Sequence, residues 1–153
     1  MKKCINFVKQ NDMMMKKLIL TCLLAIIAVT ASAQTMKGYY YNDEYQLYLR
    51  INAEEQNVVV PDQEIYGELP GYFGSKRDGR LWLITEAKMT DKNKLYITVI
   101  NDYGSEDFEA VLSEDKEHRI TMKHKSGSTF KIVVNKKYVK IPKEIVLVLQ
   151  EGK

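Results

Sequence analysis

The stretch Lys94-Leu95-Tyr96-Ile97-Thr98-Val99-Ile100, the loop Asn101-Asp102-Tyr103-Gly104-Ser105-Glu106 and the return Asp107-Phe108-Glu109-Ala110-Val111-Leu112 together decide the fold. Successive side chains on a strand point to opposite faces, so Leu95, Ile97 and Val99 share one face, as do Phe108, Ala110 and Leu112. The loop between them is built of residues that tolerate or hydrogen-bond a turn backbone. Antiparallel pairing of Val99 with Phe108 and of Leu95 with Leu112 joins the two faces into one apolar layer, and a slip of one residue would break it.

The same pattern extends in both directions. Upstream, Tyr45, Leu47, Leu49 and Ile51 alternate with Gln46, Tyr48 and Arg50, and Val58-Val59-Val60 stops at Pro61-Asp62. Pro70-Gly71 predicts a type II turn. The segment Arg80 to Lys88 turns back through Asp91-Lys92-Asn93, with Leu83 expected opposite Val99 and Ala87 opposite Leu95. Downstream come His118 to His124, Ser128 to Val134, Tyr138 to Ile141 and Ile145 to Leu149, each preceded by a turn signal. Nine to eleven short strands and no helical periodicity define an all-β chain. Short loops make consecutive strands antiparallel neighbours, and a long meander must hide its edges. The expected fold is an antiparallel up-and-down meander closed as a small β-barrel, with a β-sandwich as the alternative.

Alternation places Leu83, Ala87, Leu95, Ile97, Val99, Phe108, Ala110, Leu112, Ile120, Met122, Phe130, Ile132 and Val134 inside. The same register gathers Trp82, Ile84, Tyr96 and Ile100 into an apolar patch on the opposite face. Either another segment covers it, the N-terminal strand or the tail after Pro142, or it is a contact surface for a partner protein.

Residues 1–33 read as a leader. Lys16 and Lys17 precede an apolar run from Leu18 to about Val29 that ends at Ala31-Ser32-Ala33, the order of a Sec-type signal peptide cleaved after Ala33. The true start is expected at Met13 to Met15. A membrane-spanning helix needs about 20 apolar residues, so no integral span is expected after cleavage. Cys22 lies near the front of the apolar run, not at its end where a lipidated cysteine belongs. The expected mature unit is one all-β domain over residues 34–153, periplasmic or secreted.

Removing the leader changes the composition. Of 23 basic and 20 acidic residues, five basic (Lys2, Lys3, Lys9, Lys16, Lys17) and one acidic (Asp12) lie in it, leaving 18 against 19, net −1. The apparent basicity therefore belongs to the leader, and no nucleic-acid partner is expected. Both cysteines, Cys4 and Cys22, go with it, so the mature domain has neither thiol nor disulfide.

No motif for catalysis, metal or cofactor emerges. His118 and His124 are the only histidines, about 20 Å apart if on one strand. The acidic stretch Asn101 to Asp107 departs from the spacing of a calcium loop and reads as a solvated turn. A non-enzymatic role without cofactor is expected. All ten tyrosines follow the leader, and Tyr39, Tyr41, Tyr45 and Tyr48 bunch at its start with Tyr40. Packing along a strand edge is one reading of them; the other is a stacking rim for a ligand at a barrel mouth.

Lys37-Gly38-Tyr39-Tyr40 on the first strand, followed by a meander, resembles the opening of a lipocalin or calycin-type barrel. Those barrels carry Trp where Tyr40 stands and a late Arg where this chain has Lys140 and Lys143. The resemblance implies a cavity for a small apolar ligand. The leader and size are also similar to small exported proteins of gut-type Bacteroidetes, which implies no activity. The expected function is an exported binding module for a small apolar or saccharide-like ligand. The alternative is an interaction or inhibitor domain of the cell envelope, docking an envelope protein on the patch around Trp82. Oligomeric state is not readable from the sequence.

Overall fold

The computed structural model describes residues 36–152, so the leader expected over residues 1–33 lies outside the described part. In chain order the strands are β1 (Lys37–Asn42), β2 (Leu47–Asn52), β3 (Val58–Val59), β4 (Glu68–Leu69), β5 (Gly71–Ser75), β6 (Asp78–Asp91), β7 (Lys94–Asn101), β8 (Asp107–Glu114), β9 (Arg119–Gly127), β10 (Lys131–Val134), β11 (Lys137–Lys140) and β12 (Glu144–Leu149). A 3-10 turn, Glu64–Tyr66, separates β3 from β4. Eight strands close into an antiparallel barrel in the order β1-β12-β9-β8-β7-β6-β5-β2. With the ribbons β3–β4 and β10–β11 set aside, each strand pairs with the next in the chain. The fold is the expected all-β up-and-down meander, closed as a barrel and not as a sandwich.

Closure rests on a short seam. Tyr40 pairs with Leu149 and Tyr41 with Val148. The Asn42 side-chain amide donates to the Val146 carbonyl at 2.9 Å, and the Gln150 N–H donates to the Tyr39 carbonyl at 2.8 Å. These bonds leave the main sheet without a free edge, which removes the usual route to edge-to-edge aggregation.

An eight-stranded barrel is just wide enough for side chains to fill. Here Leu47, Leu49, Ile51, Ile97, Val99, Leu112, Ile120 and Leu147 fill it from the strands. The β10–β11 ribbon closes one end. Its two-residue turn, Asn135-Lys136, has positive φ at both positions (50° and 63°), the backbone that matches strand twist in a tight hairpin. Just before it, Phe130 enters the barrel and contacts Phe108 at 5.2 Å, Trp82 at 5.3 Å and Phe73 at 5.5 Å between ring centroids. The Trp82 indole N–H donates to the Lys131 carbonyl at 3.3 Å, and the Val133 N–H donates to Asp78 at 2.8 Å. The ribbon is thus a plug held by aromatic packing and hydrogen bonds.

The β7–β8 register is as expected, with Val99 opposite Phe108 and Leu95 opposite Leu112. The β6–β7 register is not. Leu83 pairs with Ile100 and Ile84 with Val99, whereas beyond Thr85 Ala87 pairs with Ile97. A bulge at Thr85 inserts one extra residue, which reverses the facing of everything on one side of it. Trp82 and Ile84, expected on the outside, are therefore interior, at 4% and 0% exposure. Leu83, expected inside, faces outward. The expected patch of Trp82, Ile84, Tyr96 and Ile100 does not form. Of its outward members, Ile100 packs against a second apolar cluster, and Tyr96 is half-buried with its hydroxyl bonded to Glu109.

That second cluster comprises Val60, Leu69, Tyr72 and Leu83, with Tyr48, Val58, Leu81 and Ile100 beside it. It is the underside of the β3–β4 ribbon against the barrel's outer wall. A segment does cover the apolar outer face, but it is this ribbon and neither of the two foreseen. Pro70-Gly71 makes no type II turn. Gly71 begins β5, where a Cβ would collide with the Arg50 carbonyl on β2, so glycine permits the close approach of the two strands.

Truncating a large buried aromatic costs roughly 3–5 kcal/mol, and surface changes stay within about 0.5 kcal/mol. Phe130→Ala should destabilise the domain by the larger amount in denaturant unfolding, and Tyr103→Ala by the smaller. Trp82 emission should be blue-shifted and protected from iodide in the native protein; a red, quenchable Trp82 would contradict the interior placement.

Candidate functional site

The outward side chains of β1, β2 and β5 form cross-strand rows. Tyr39 lies opposite Arg50 and Arg50 opposite Tyr72; in the next row Tyr41 lies opposite Tyr48 and Tyr48 opposite Gly74. The Tyr39 and Tyr48 rings stack at 5.4 Å with 21° between planes, and Tyr48 meets Tyr72 edge-on at 6.1 Å. The Tyr48 ring lies over Gly74 so closely that a Cβ there would collide with its hydroxyl end. An aromatic ring laid across a strand glycine covers backbone that the missing side chain leaves open. Tyr48 is therefore a structural support, and Tyr39 rests on it.

Beside this row the β3–β4 ribbon rises as a wall carrying Val58, Val59 and Pro61. The groove between them has a volume of about 530 Å³, and its lining includes Lys37, Tyr39, Arg50, Asn52, Glu55, Asn57 and Tyr72. Its polar end is preorganised. Glu55 accepts from Asn52 at 2.7 Å, Lys37 at 3.2 Å and Asn57 at 3.2 Å. The Asn52 amide and then Lys37 hold the Glu55 carboxyl below its ordinary pKa. Asn52 also donates to Asn57 at 2.8 Å and accepts from the Glu55 N–H at 3.2 Å, locking the turn after β2. Burial raises the phenol pKa of Tyr39, Tyr48 and Tyr72, so these hydroxyls remain neutral and able both to donate and to accept.

Arg50 differs from these groups. It is exposed in the groove between two tyrosines, and its guanidinium has no hydrogen bond or ion pair among the described residues. Nothing in its spacing marked it, since it reads as an ordinary polar residue between Leu49 and Ile51. Tyr72 was missed too, because the ribbon that frames it could not be placed from periodicity.

The four tyrosines singled out in the sequence fall in three places. Tyr39 lines the groove with Tyr48 behind it. Tyr41 carries the Lys76 ammonium over its ring, 4.4 Å from the centroid. Tyr45 sits in the β1–β2 turn and packs against the main core. Tyr39, Tyr41 and Tyr48 thus belong to the outer wall, and Tyr45 to a turn at the barrel's end.

Other polar groups are structural. Tyr40 is inward and donates to Glu114 Oε1 at 3.1 Å; His118 Nδ1 lies 3.3 Å from the same oxygen. Glu114 is buried, and its Oε2 has no partner among the described residues. His124 stacks on Phe108 at 5.3 Å, and its Nε2 donates to the Ser128 carbonyl at 2.9 Å. The two histidines thus serve separate local contacts. Asn101 caps the loop before β8 by accepting from the Ser105 and Glu106 N–H groups, and Glu106 pairs with Lys131 at 2.6 Å. Among the described residues no three His, Cys, Asp or Glu side chains are placed to hold a metal. No helix among them is long and apolar enough to cross a membrane. The chain matches no family model, no curated protein and no solved structure.

Burial, then the Glu114 charge and hydrogen bond, raise the Tyr40 phenol well above its ordinary 10.0. A raised folded pKa contributes stability that is complete below the unfolded value and is lost as pH rises past it. Native protein should therefore keep one tyrosine un-ionised in an alkaline titration read by tyrosinate absorbance, releasing it only on unfolding. Tyr40→Phe should remove that late component; its persistence would assign it to another tyrosine.

Proposed function

We propose that this domain is an exported, non-enzymatic binding module whose ligand is saccharide-like and sits in the outer-wall groove between β1, β2, β5 and the β3–β4 ribbon. The observation that carries this reading is the join of tyrosines with a fixed polar cluster in one concavity of about 530 Å³. Small-ligand sites are concavities of roughly 300–1,000 Å³ with a few placed polar groups. Tyrosine supplies flat apolar area and a hydroxyl at low entropy cost, which suits a ring with an apolar face and a polar rim. The closed barrel is compatible with a lipocalin-like likeness. Its axis, however, is occupied by Phe73, Trp82, Phe108 and Phe130, which favours the outer wall over an interior ligand.

A role in docking an envelope protein is the second reading. It loses Trp82 and Ile84 to the interior, and rests instead on exposed Val59 and on Ile65, 90% exposed at the ribbon's tip.

Calorimetry of the chain against a panel of neutral and acidic oligosaccharides tests the first reading. Tyr39→Ala should lower affinity for the bound member at least tenfold, about 1.4 kcal/mol, whereas Tyr103→Ala should leave it unchanged. Binding indifferent to Tyr39, or no binding across the panel, would sink it.

A further inference from the structure

We infer that the groove selects saccharides bearing a carboxylate, a uronic-acid unit being the simplest case, and that Arg50 is the residue that reads the charge; this rests on the saccharide reading above. The groove contains two basic residues and one acid, and their pairing is unequal. Glu55 is fully engaged by Lys37, Asn52 and Asn57. The Lys37–Glu55 pair at 3.2 Å neutralises itself. Arg50 is left with no carboxylate among the described residues, so the groove holds one uncompensated positive charge.

Its position strengthens the point. A guanidinium offers a planar fork that binds a carboxylate through two parallel hydrogen bonds, and it is less strongly hydrated than an ammonium. On open surface such a pair would contribute little. Arg50 instead sits midway in the Tyr39–Arg50–Tyr72 row, with the ribbon's Val58, Val59 and Pro61 across the groove. Arg50 itself stays exposed, and the wall adds apolar contact for the ring that would carry the carboxylate, beside the charge-assisted bond. The flanking phenols are neutral, as any phenol is well below its ordinary pKa of about 10, and they add no negative charge to repel an anion. Arg50 is on a barrel strand bonded on both sides, so its backbone does not move to meet the ligand. A carboxylate seated on the fork leaves the sugar ring beside Tyr39, the ring that Tyr48 supports from behind.

The test uses the full chain and three probes of equal length: oligogalacturonate, its methyl ester, and the neutral galactose oligomer. Calorimetry should show the free acid binding at least tenfold tighter than the ester or the neutral oligomer, and weakening as salt rises. Arg50→Gln should erase that preference while retaining weak, equal binding of all three. Arg50→Lys, which keeps the charge and loses the fork, should recover only part of it. Circular dichroism of the variants should match the parent. Equal binding of acid and ester by the parent would overturn the charge assignment and leave the saccharide reading standing. So would a preference that survives Arg50→Gln. Binding of none of the three would sink both.

Discussion

The constraint on which everything else depends is the width of a closed eight-stranded barrel. Once β1 meets β12, the interior has a fixed cross-section that inward side chains must fill to organic-crystal density. The described residues, which include no cysteine, meet the requirement by packing. At one end the strands do not supply enough bulk, and Phe130 enters from the connection after β9 to complete a cluster with Phe73, Trp82 and Phe108. The plug answers a volume requirement, and the bonds from Trp82 and Asp78 fix its seat. An axis filled in this way cannot also hold a ligand.

The meander leaves its path twice, and the two excursions do different work. The β10–β11 ribbon turns inward and closes an end. The β3–β4 ribbon lies on the wall and converts a flat sheet face into a groove. A two-stranded ribbon is marginal by itself, and β3–β4 has only two register pairs, Val58 with Leu69 and Val59 with Glu68. Its place is held by Val60 and Leu69 on Tyr72 and Leu83.

Fold class was legible because most strands alternate cleanly. Leu95 to Val99 and Phe108 to Leu112 fix each other's register, with Tyr96, Thr98, Glu109 and Val111 left to the other face. The closed meander follows from the short loops. Legibility failed at Leu81-Trp82-Leu83-Ile84, where four apolar residues in a row carry no parity. The bulge at Thr85 then makes the facing inferred from Ala87 wrong for Leu83. The tyrosine bunching falls on β1 and β2, where Tyr39, Tyr41 and Tyr48 face outward. Which tyrosines support and which face the groove depended on Gly74 and on the ribbon, both contacts distant in sequence. Arg50 was invisible because a lone exposed arginine becomes notable only when its neighbours prove to be tyrosines and the nearest acid proves to be taken.

The misread residue and the proposed site are linked. The Thr85 bulge turns Leu83 outward. An outward leucine on a barrel wall is costly unless covered, at roughly 25 cal/mol for each Å² left in water. Val60 and Leu69 cover it, and in doing so they fix the ribbon. The fixed ribbon supplies the wall of Val58, Val59 and Pro61, without which Arg50 would stand on an open sheet face. A regular ladder that kept Thr85 in the pairing would put Leu83 on the same face as Ala87, the alternation that the sequence suggests. That ladder would take Leu83 from under Val60 and Leu69 and leave the ribbon without its seat. The local irregularity in β6 thus separates a closed meander with a plain outer wall from one with a concave outer face.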